Sequence, residues 1–316
     1  MKLAFVLDPL DTLLPYKDSS IEMMRAALHR GHDIFAIAAD SLTLRDGMVC
    51  GLAQSLTISD STPWYQAQEA REMPLNHFDA VLMRKDPPFD MEYFYATHLL
   101  EIAEHQGARV FNRPRALRDF SEKLSIARFP QWTPVTLVTC RMDALRTFIH
   151  QQSDVILKPL DGMGGSGIFR VRVEDPNVGV ILESMTNQGM RTIMAQRYLP
   201  AITEGDKRIL VVHGEPIPWC LARIPAPGET RGNLAAGGIG HARRLTNRDM
   251  EIARHVGSIL RESGILLAGL DVIGSCLTEI NVTSPTCMRE IRDQTGFDTA
   301  EQVITNLESL VARNDT

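Results

Sequence analysis

Residues 156–171, Ile-Leu-Lys-Pro-Leu-Asp-Gly-Met-Gly-Gly-Ser-Gly-Ile-Phe-Arg-Val, set Lys158 in an apolar run and follow it with four glycines within residues 162–167. Glycines free of Cβ leave backbone N–H groups open and let φ turn positive, which suits a flap closing on an anion. No Gly-Lys-Ser/Thr and no long helix follow, so this is not a Walker loop. The apolar run from Ile168 to Val171 reads as a strand, which also excludes a dinucleotide fingerprint. Phosphate binding is the expectation; an ordinary glycine-rich hairpin has the same composition.

A second stretch, Leu270 to Val282, carries the acids. Glu279 and Asn281 are two apart on a strand, so they share one face, while Thr278, Ile280 and Val282 take the other. A three-residue turn, Gly274 to Cys276, puts Asp271 opposite Glu279 on that face; a two-residue turn sends it to the wrong side. Two carboxylates and an amide oxygen are hard ligands suited to Mg²⁺ shared with triphosphate oxygens. Taken alone, the same residues suit a polar strand face in water. Together with the flap and with Lys123 and Lys158 upstream, they point to nucleotide and magnesium.

Elements that position these residues follow from periodicity. Residues 1–120 alternate strand and helix: Leu3–Leu7, a helix opened by a Ser19/Glu22 capping box and closed at Gly31, Ile34–Ala38, a turn at Asp46-Gly47, a polar stretch 59–76, Phe78–Met83, a helix over Glu92–Gln106, and Arg109–Phe111. That order predicts a doubly wound parallel sheet, with ligands beyond the strands' carboxyl ends, where Asp8 and Arg84-Lys85-Asp86 fall. Residues 121–203 read as a small α+β lobe, with Lys123 on a helix, helices over Asp143–Gln151 and Val178–Met190, and a strand Ile193–Tyr198. Residues 204–316 are strand-rich, with a hairpin Lys207–Val212/Ile217–Arg223, a helix Asn247–Ser263, the acidic hairpin and a helix Ala300–Ala312. Between them, 224–240 holds five glycines and two prolines, too long for a passive connection and suited to a mobile lid.

The chain has 316 residues, 44% hydrophobic and 23% charged, which is ordinary globular composition. A formal charge of −6 without a basic block argues against nucleic acid. No 18-residue apolar run exists, and the first apolar run ends in Asp8-Pro9 without a cleavage site, so neither a membrane span nor a signal peptide is expected. Five scattered cysteines without C-x-x-C fit a reducing cytoplasm and no zinc site. His98, Glu101 and His105 share a helical face that reads as solvated surface.

At this point the chain resembles the bacterial glutathione synthetases of the ATP-grasp superfamily, over essentially its whole length. The resemblance rests on residues 83–90, 158–169, 205–208, 229–238 and 278–287. It departs at Ser166-Gly167, where the extra glycine is expected to loosen the flap. The resemblance implies an ATP-grasp fold behind the N-terminal doubly wound domain. It also implies ATP-dependent ligation of γ-glutamylcysteine to glycine through an acyl phosphate, with two Mg²⁺, or Mn²⁺ in their place, in a cytoplasmic homotetramer. By the same resemblance Lys123, Lys158, Gly162, Gly164, Gly165, Ser166, Gln196, Arg197, Tyr198, Leu199, Asp206 and Arg223 bind ATP. Asp271, Glu279 and Asn281 hold the metal, Arg208, Arg231 and Gly232 are catalytic, and Arg84, Ser284 and Thr286 bind substrate. A glutamate-adding ligase of the same superfamily is the alternative, and a nucleotide-binding protein without chemistry is the rival from another class.

Overall fold

A computed structural model describes residues 1–59 and 61–313. Lys2–Leu7 is apolar and buried on both faces, which makes it the centre of a parallel sheet. It pairs in parallel with Asp33–Ala38 on one side and Ala80–Met83 on the other, and Val110–Phe111 extends that side. The polar 59–76 stretch, given no element from the sequence, contributes Tyr65–Ala67 and Arg71–Pro74. Both pair antiparallel with the long strand Met48–Ile58 at the sheet's exposed edge. Residues there stay polar because one face meets water, so apolar content was the wrong signal.

Helix Ser19–His29 starts one residue earlier than a Ser19/Glu22 box requires. Asp18 is its cap, accepting the N–H groups of Ser20 at 2.7 Å and Ile21 at 3.2 Å. Ser19 and Glu22 are taken by tertiary partners: Ser19 Oγ accepts from Met288 N, and buried Glu22 meets Arg25, Arg289 and Arg292. Lys123 is also displaced from its expected helix. Helix Pro114–Asp119 stops short of it, and a 3-10 helix, Leu124–Arg128, begins just after. Glu122 causes the break, because its backbone carbonyl accepts Ile280 N and its carboxylate accepts Val282 N, Thr283 N and Thr283 Oγ.

A four-stranded antiparallel sheet follows, in the order Phe169–Arg172, Asp154–Pro159, Ile193–Arg197, Thr136–Thr139. Helices Met142–Gln152 and Val178–Thr186 cover it, and it has its own core around Leu145, Phe148, Leu157, Leu182 and Ile193. The second helix ends four residues before the expected Met190, since Asn187 and Gln188 adopt positive φ. A five-stranded antiparallel sheet, Ile239–Arg244, Glu215–Ile224, Asp206–Val212, Leu267–Ile273, Cys276–Asn281, completes the framework. Its core is continuous with that of the N-terminal sheet. Two links reinforce this. Helix Thr299–Arg313 packs on helix Ser19–His29, where Arg30 meets Glu301 and Glu308. Asn112, fully engaged, donates to Leu267 O and Val282 O and accepts from Leu266 N and Leu267 N.

The acidic hairpin reaches the expected pairing by a different route. Its turn has two residues, Gly274 and Ser275, because Ile273 pairs with Cys276 and Val272 with Leu277. A bulge at Thr278 then restores Asp271 to a place opposite Glu279. Thr278 Oγ donates to Asp271 O at 3.1 Å, pinning that bulge.

Candidate active site

The three sheets converge on a cavity of about 530 Å³, the size of a small-molecule site. Every site residue expected from the sequence lines it except Arg84. Arg84 lies behind the wall, buried, with Nε donating to Ser20 Oγ at 3.1 Å and Nη2 to Pro285 O at 3.2 Å. It thereby braces the loop that presents Ser284 and Thr286. Asp8 and Asp86 reach the cavity from the parallel sheet's carboxyl edge; Asp8 accepts Asp86 N at 2.8 Å and pairs with Lys85 at 3.2 Å.

At the glycine-rich end, Lys123 Nζ donates to Gly162 O and lies 3.0 Å from Glu279 Oε1. The Lys158 ammonium is pulled below its ordinary pKa by burial, against the attraction of Glu279 and with help from Lys123. Two lysines near one carboxylate leave positive charge in reserve for an anion. Gly164, Gly165 and Gly167 all have positive φ, and the extra glycine, Gly167, packs within 3.4 Å of Pro159 at its would-be Cβ. Gln196 is buried with Nε2 on Thr136 Oγ, and the Tyr198 ring is covered by the Arg170 guanidinium at 3.5 Å.

The centre is a buried charge lattice. Asp271 accepts from Arg208 Nε at 2.5 Å and Nη2 at 3.1 Å, and lies 2.9 Å from Arg223 Nη2. Arg223 also reaches Asp206 at 2.5 Å. Burial alone would raise the Asp271 pKa, but Arg208 and Arg223 overrule it and hold the carboxyl well below the usual range. Asp206, with Arg223 only in part, is pushed up to about 6 by burial. Of the two acids, Asp271 is held ionised the more strongly. Asn281 Nδ2 donates to Gly269 O at 3.1 Å, which leaves its amide oxygen free beside Glu279.

Among the described residues no three His, Cys, Asp or Glu side chains come together as a metal cage. Two carboxylates with one amide oxygen still fit a cation that completes its shell with phosphate oxygens and water.

From the 225–238 loop, residues 230–235 line the cavity, and Ile239-Gly240, expected in the loop, belong to the edge strand. Gly232 is required where it stands: a Cβ there would sit 2.5 Å from Arg223 O and 3.0 Å from Asp206 Cβ. Sequence reasoning did not single out Glu122, which positions Lys123 and the 282–283 backbone, or Asn112, which ties the acidic strands to the N-terminal sheet. An isolated acid and an isolated amide carry no spacing signal.

Comparison with known proteins shows the family and the fold. The family model for the prokaryotic glutathione synthetase N-terminal domain matches residues 1–118, and that for its ATP-grasp domain matches 122–296. The chain is 56% identical over 319 residues to a glutathione synthetase of Nitrosomonas europaea, covering all of both chains. It is 54% identical to the Ralstonia nicotianae protein of that name, over 98% of this chain and 95% of the relative. The fold matches the D-cycloserine synthetase DcsG with TM-score 0.67 at 14% identity, over 99% of both chains. It also matches the ATP-grasp ligase PsnB with TM-score 0.63 at 14% identity, over 98% of both. No helix of the described residues is long and apolar enough to cross a membrane. The chain belongs to the prokaryotic glutathione synthetase family and is an ATP-dependent ligase with the ATP-grasp fold.

Proposed function

We propose that the cavity activates the cysteinyl carboxylate of γ-glutamylcysteine as an acyl phosphate and transfers the acyl group to glycine, forming glutathione, ADP and phosphate. A carboxylate oxygen attacks the γ-phosphorus of ATP and ADP leaves. The glycine nitrogen then attacks the acyl carbon, phosphate departs with that oxygen, and the amine proton is released. The observation that carries this reading is the convergence of the flap lysines, the Arg208–Asp271–Arg223 lattice and the Glu279/Asn281 edge on one cavity.

Lys123 and Lys158 hold phosphate oxygens over the glycine backbone, and Gln196 to Leu199 with Asp206 hold the nucleoside. Arg208 steadies the transferring phosphoryl group and the tetrahedral oxyanion, because such transfers need placed charge more than covalent help. Asp271, Glu279 and Asn281 would hold Mg²⁺, with Mn²⁺ as a substitute, and a cation there neutralises charge on the phosphates. Arg231 and Gly232 close the site, since an acyl phosphate is lost to water unless the cavity is shut. Ser284 and Thr286 face the substrate carboxylates. A homotetramer in a reducing cytoplasm belongs to the same reading.

ADP release assayed with ATP, Mg²⁺, γ-glutamylcysteine and glycine, each omitted in turn, tests it. Full turnover should need all four, and release without γ-glutamylcysteine would overturn the carboxylate-activation step. Replacing glycine by glutamate separates the glutamate-adding alternative, against which the full-length relatives stand.

Arg84 acts one step behind the substrate end. Arg84→Ala removes the brace on Pro285 O and should raise the KM for γ-glutamylcysteine or glycine by about tenfold, the worth of a charged hydrogen bond. The KM for ATP should stay nearly constant. A selective loss of ATP affinity would move Arg84 to the nucleotide side.

A further inference from the structure

The glycine flap and the 225–238 loop come from different lobes and meet through one polar contact. Arg231 Nη1 donates to Gly165 O at 3.2 Å. Glu229 grips the same arginine from its other side: Oε2 accepts from Arg231 Nη2 at 2.5 Å. Its second oxygen accepts the N–H groups of Thr230 at 2.7 Å and Arg231 at 3.2 Å. One carboxylate thus fixes both the backbone and the guanidinium of Arg231, which leaves the opposite guanidinium nitrogen directed at the flap. The flap is cut to receive it. A Cβ on Gly165 would lie 2.8 Å from Asn233 Oδ1 and 3.2 Å from Arg231 Cδ, and its φ of +83° disfavours any side chain.

We propose that Glu229 is a positioning residue: it aims Arg231 at the Gly165 carbonyl, so that flap and loop shut over the cavity as one piece. Its bond to Arg231, first, and the two N–H groups hold the carboxyl pKa at about 2, so Glu229 is ionised throughout the working pH range. This assignment rests on the acyl-phosphate reading above, because the consequence of a loose closure is water reaching that intermediate.

The test is the number of ADP released per glutathione formed, at saturating ATP and Mg²⁺. Glu229→Gln keeps an oxygen for the two N–H groups and removes the charge that holds the guanidinium. Wild type should release one ADP per glutathione. E229Q should release about threefold more, and donor-dependent ADP release without glycine should rise in parallel. Glu229→Asp, which restores the charge on a shorter arm, should recover part of the coupling. In an Arg231→Ala background, E229Q should change nothing further. A ratio in E229Q equal to wild type, or an equal E229Q effect with Arg231 absent, would overturn the assignment. Wild type that releases no ADP on addition of γ-glutamylcysteine would instead defeat the underlying reading, so the two failures are distinct.

Discussion

Glu279→Gln should cut turnover by on the order of a hundredfold or more while leaving the fold intact. The substitution keeps size and one acceptor oxygen but removes a charge that offsets the cations, and one lost electrostatic partner in such a site costs roughly 3 kcal/mol. Glu279 lies 3.0 Å from Lys123, and its side chain is 20% exposed. Nearby Glu122 is raised above its ordinary pKa by burial and then by repulsion from Glu279. Removing that charge relieves Glu122 but leaves buried Lys123 with Gly162 O alone, so the ligand-free melting temperature should fall modestly while the fold survives. Added Mg²⁺ with a non-hydrolysable ATP analogue should stabilise wild type and stabilise the variant much less. Normal turnover in E279Q would end the metal assignment.

Asp271→Asn should behave differently, losing stability as well as turnover. Asp271 is 2% exposed and serves two buried guanidiniums, so the variant leaves Arg208 without its anion and Arg223 with Asp206 alone. Stranding a buried ion-pair partner costs about 3 kcal/mol or more, measurable by urea unfolding. The pH dependence has a definite sign. The folded pKa of Asp271 lies below its unfolded value, so its contribution is complete above about pH 4 and fades as pH falls from there toward the folded pKa. The deficit of D271N should accordingly be full at pH 7 and shrink in acid. A deficit that does not change with pH, or none at all, would show that the lattice contributes no pH-linked stability.

Much of this site was legible because its signals are local. Glycine spacing located the flap, and strand alternation put Glu279 and Asn281 on one face. What failed depended on residues far apart in the chain. The bulge at Thr278 cannot be seen in the hairpin's own pattern, so the Asp271–Glu279 pairing was expected through a three-residue turn that the chain does not make. Ser19 and Glu22 have capping-box spacing, yet both are claimed by helix Met288–Thr295, more than 260 residues away. Lys123 was expected on a helix because nothing near it announces that Glu122 is bound by strand Cys276–Asn281 and the residues after it. Arg84 stands at a strand's carboxyl end as expected, but its guanidinium turns to Ser20 and Pro285 instead of the cavity. Polar residues on an exposed sheet edge, 65–67 and 71–74, give no strand signal when apolar alternation is the only guide.

The most direct test of carboxylate activation follows one oxygen atom. γ-Glutamylcysteine labelled with ¹⁸O in its cysteinyl carboxylate should pass one labelled oxygen per turnover to inorganic phosphate, with none entering ADP. Phosphate that stays unlabelled while glutathione accumulates would contradict phosphoryl transfer to the carboxylate, and with it the roles given to Lys158, Arg208 and Asp271.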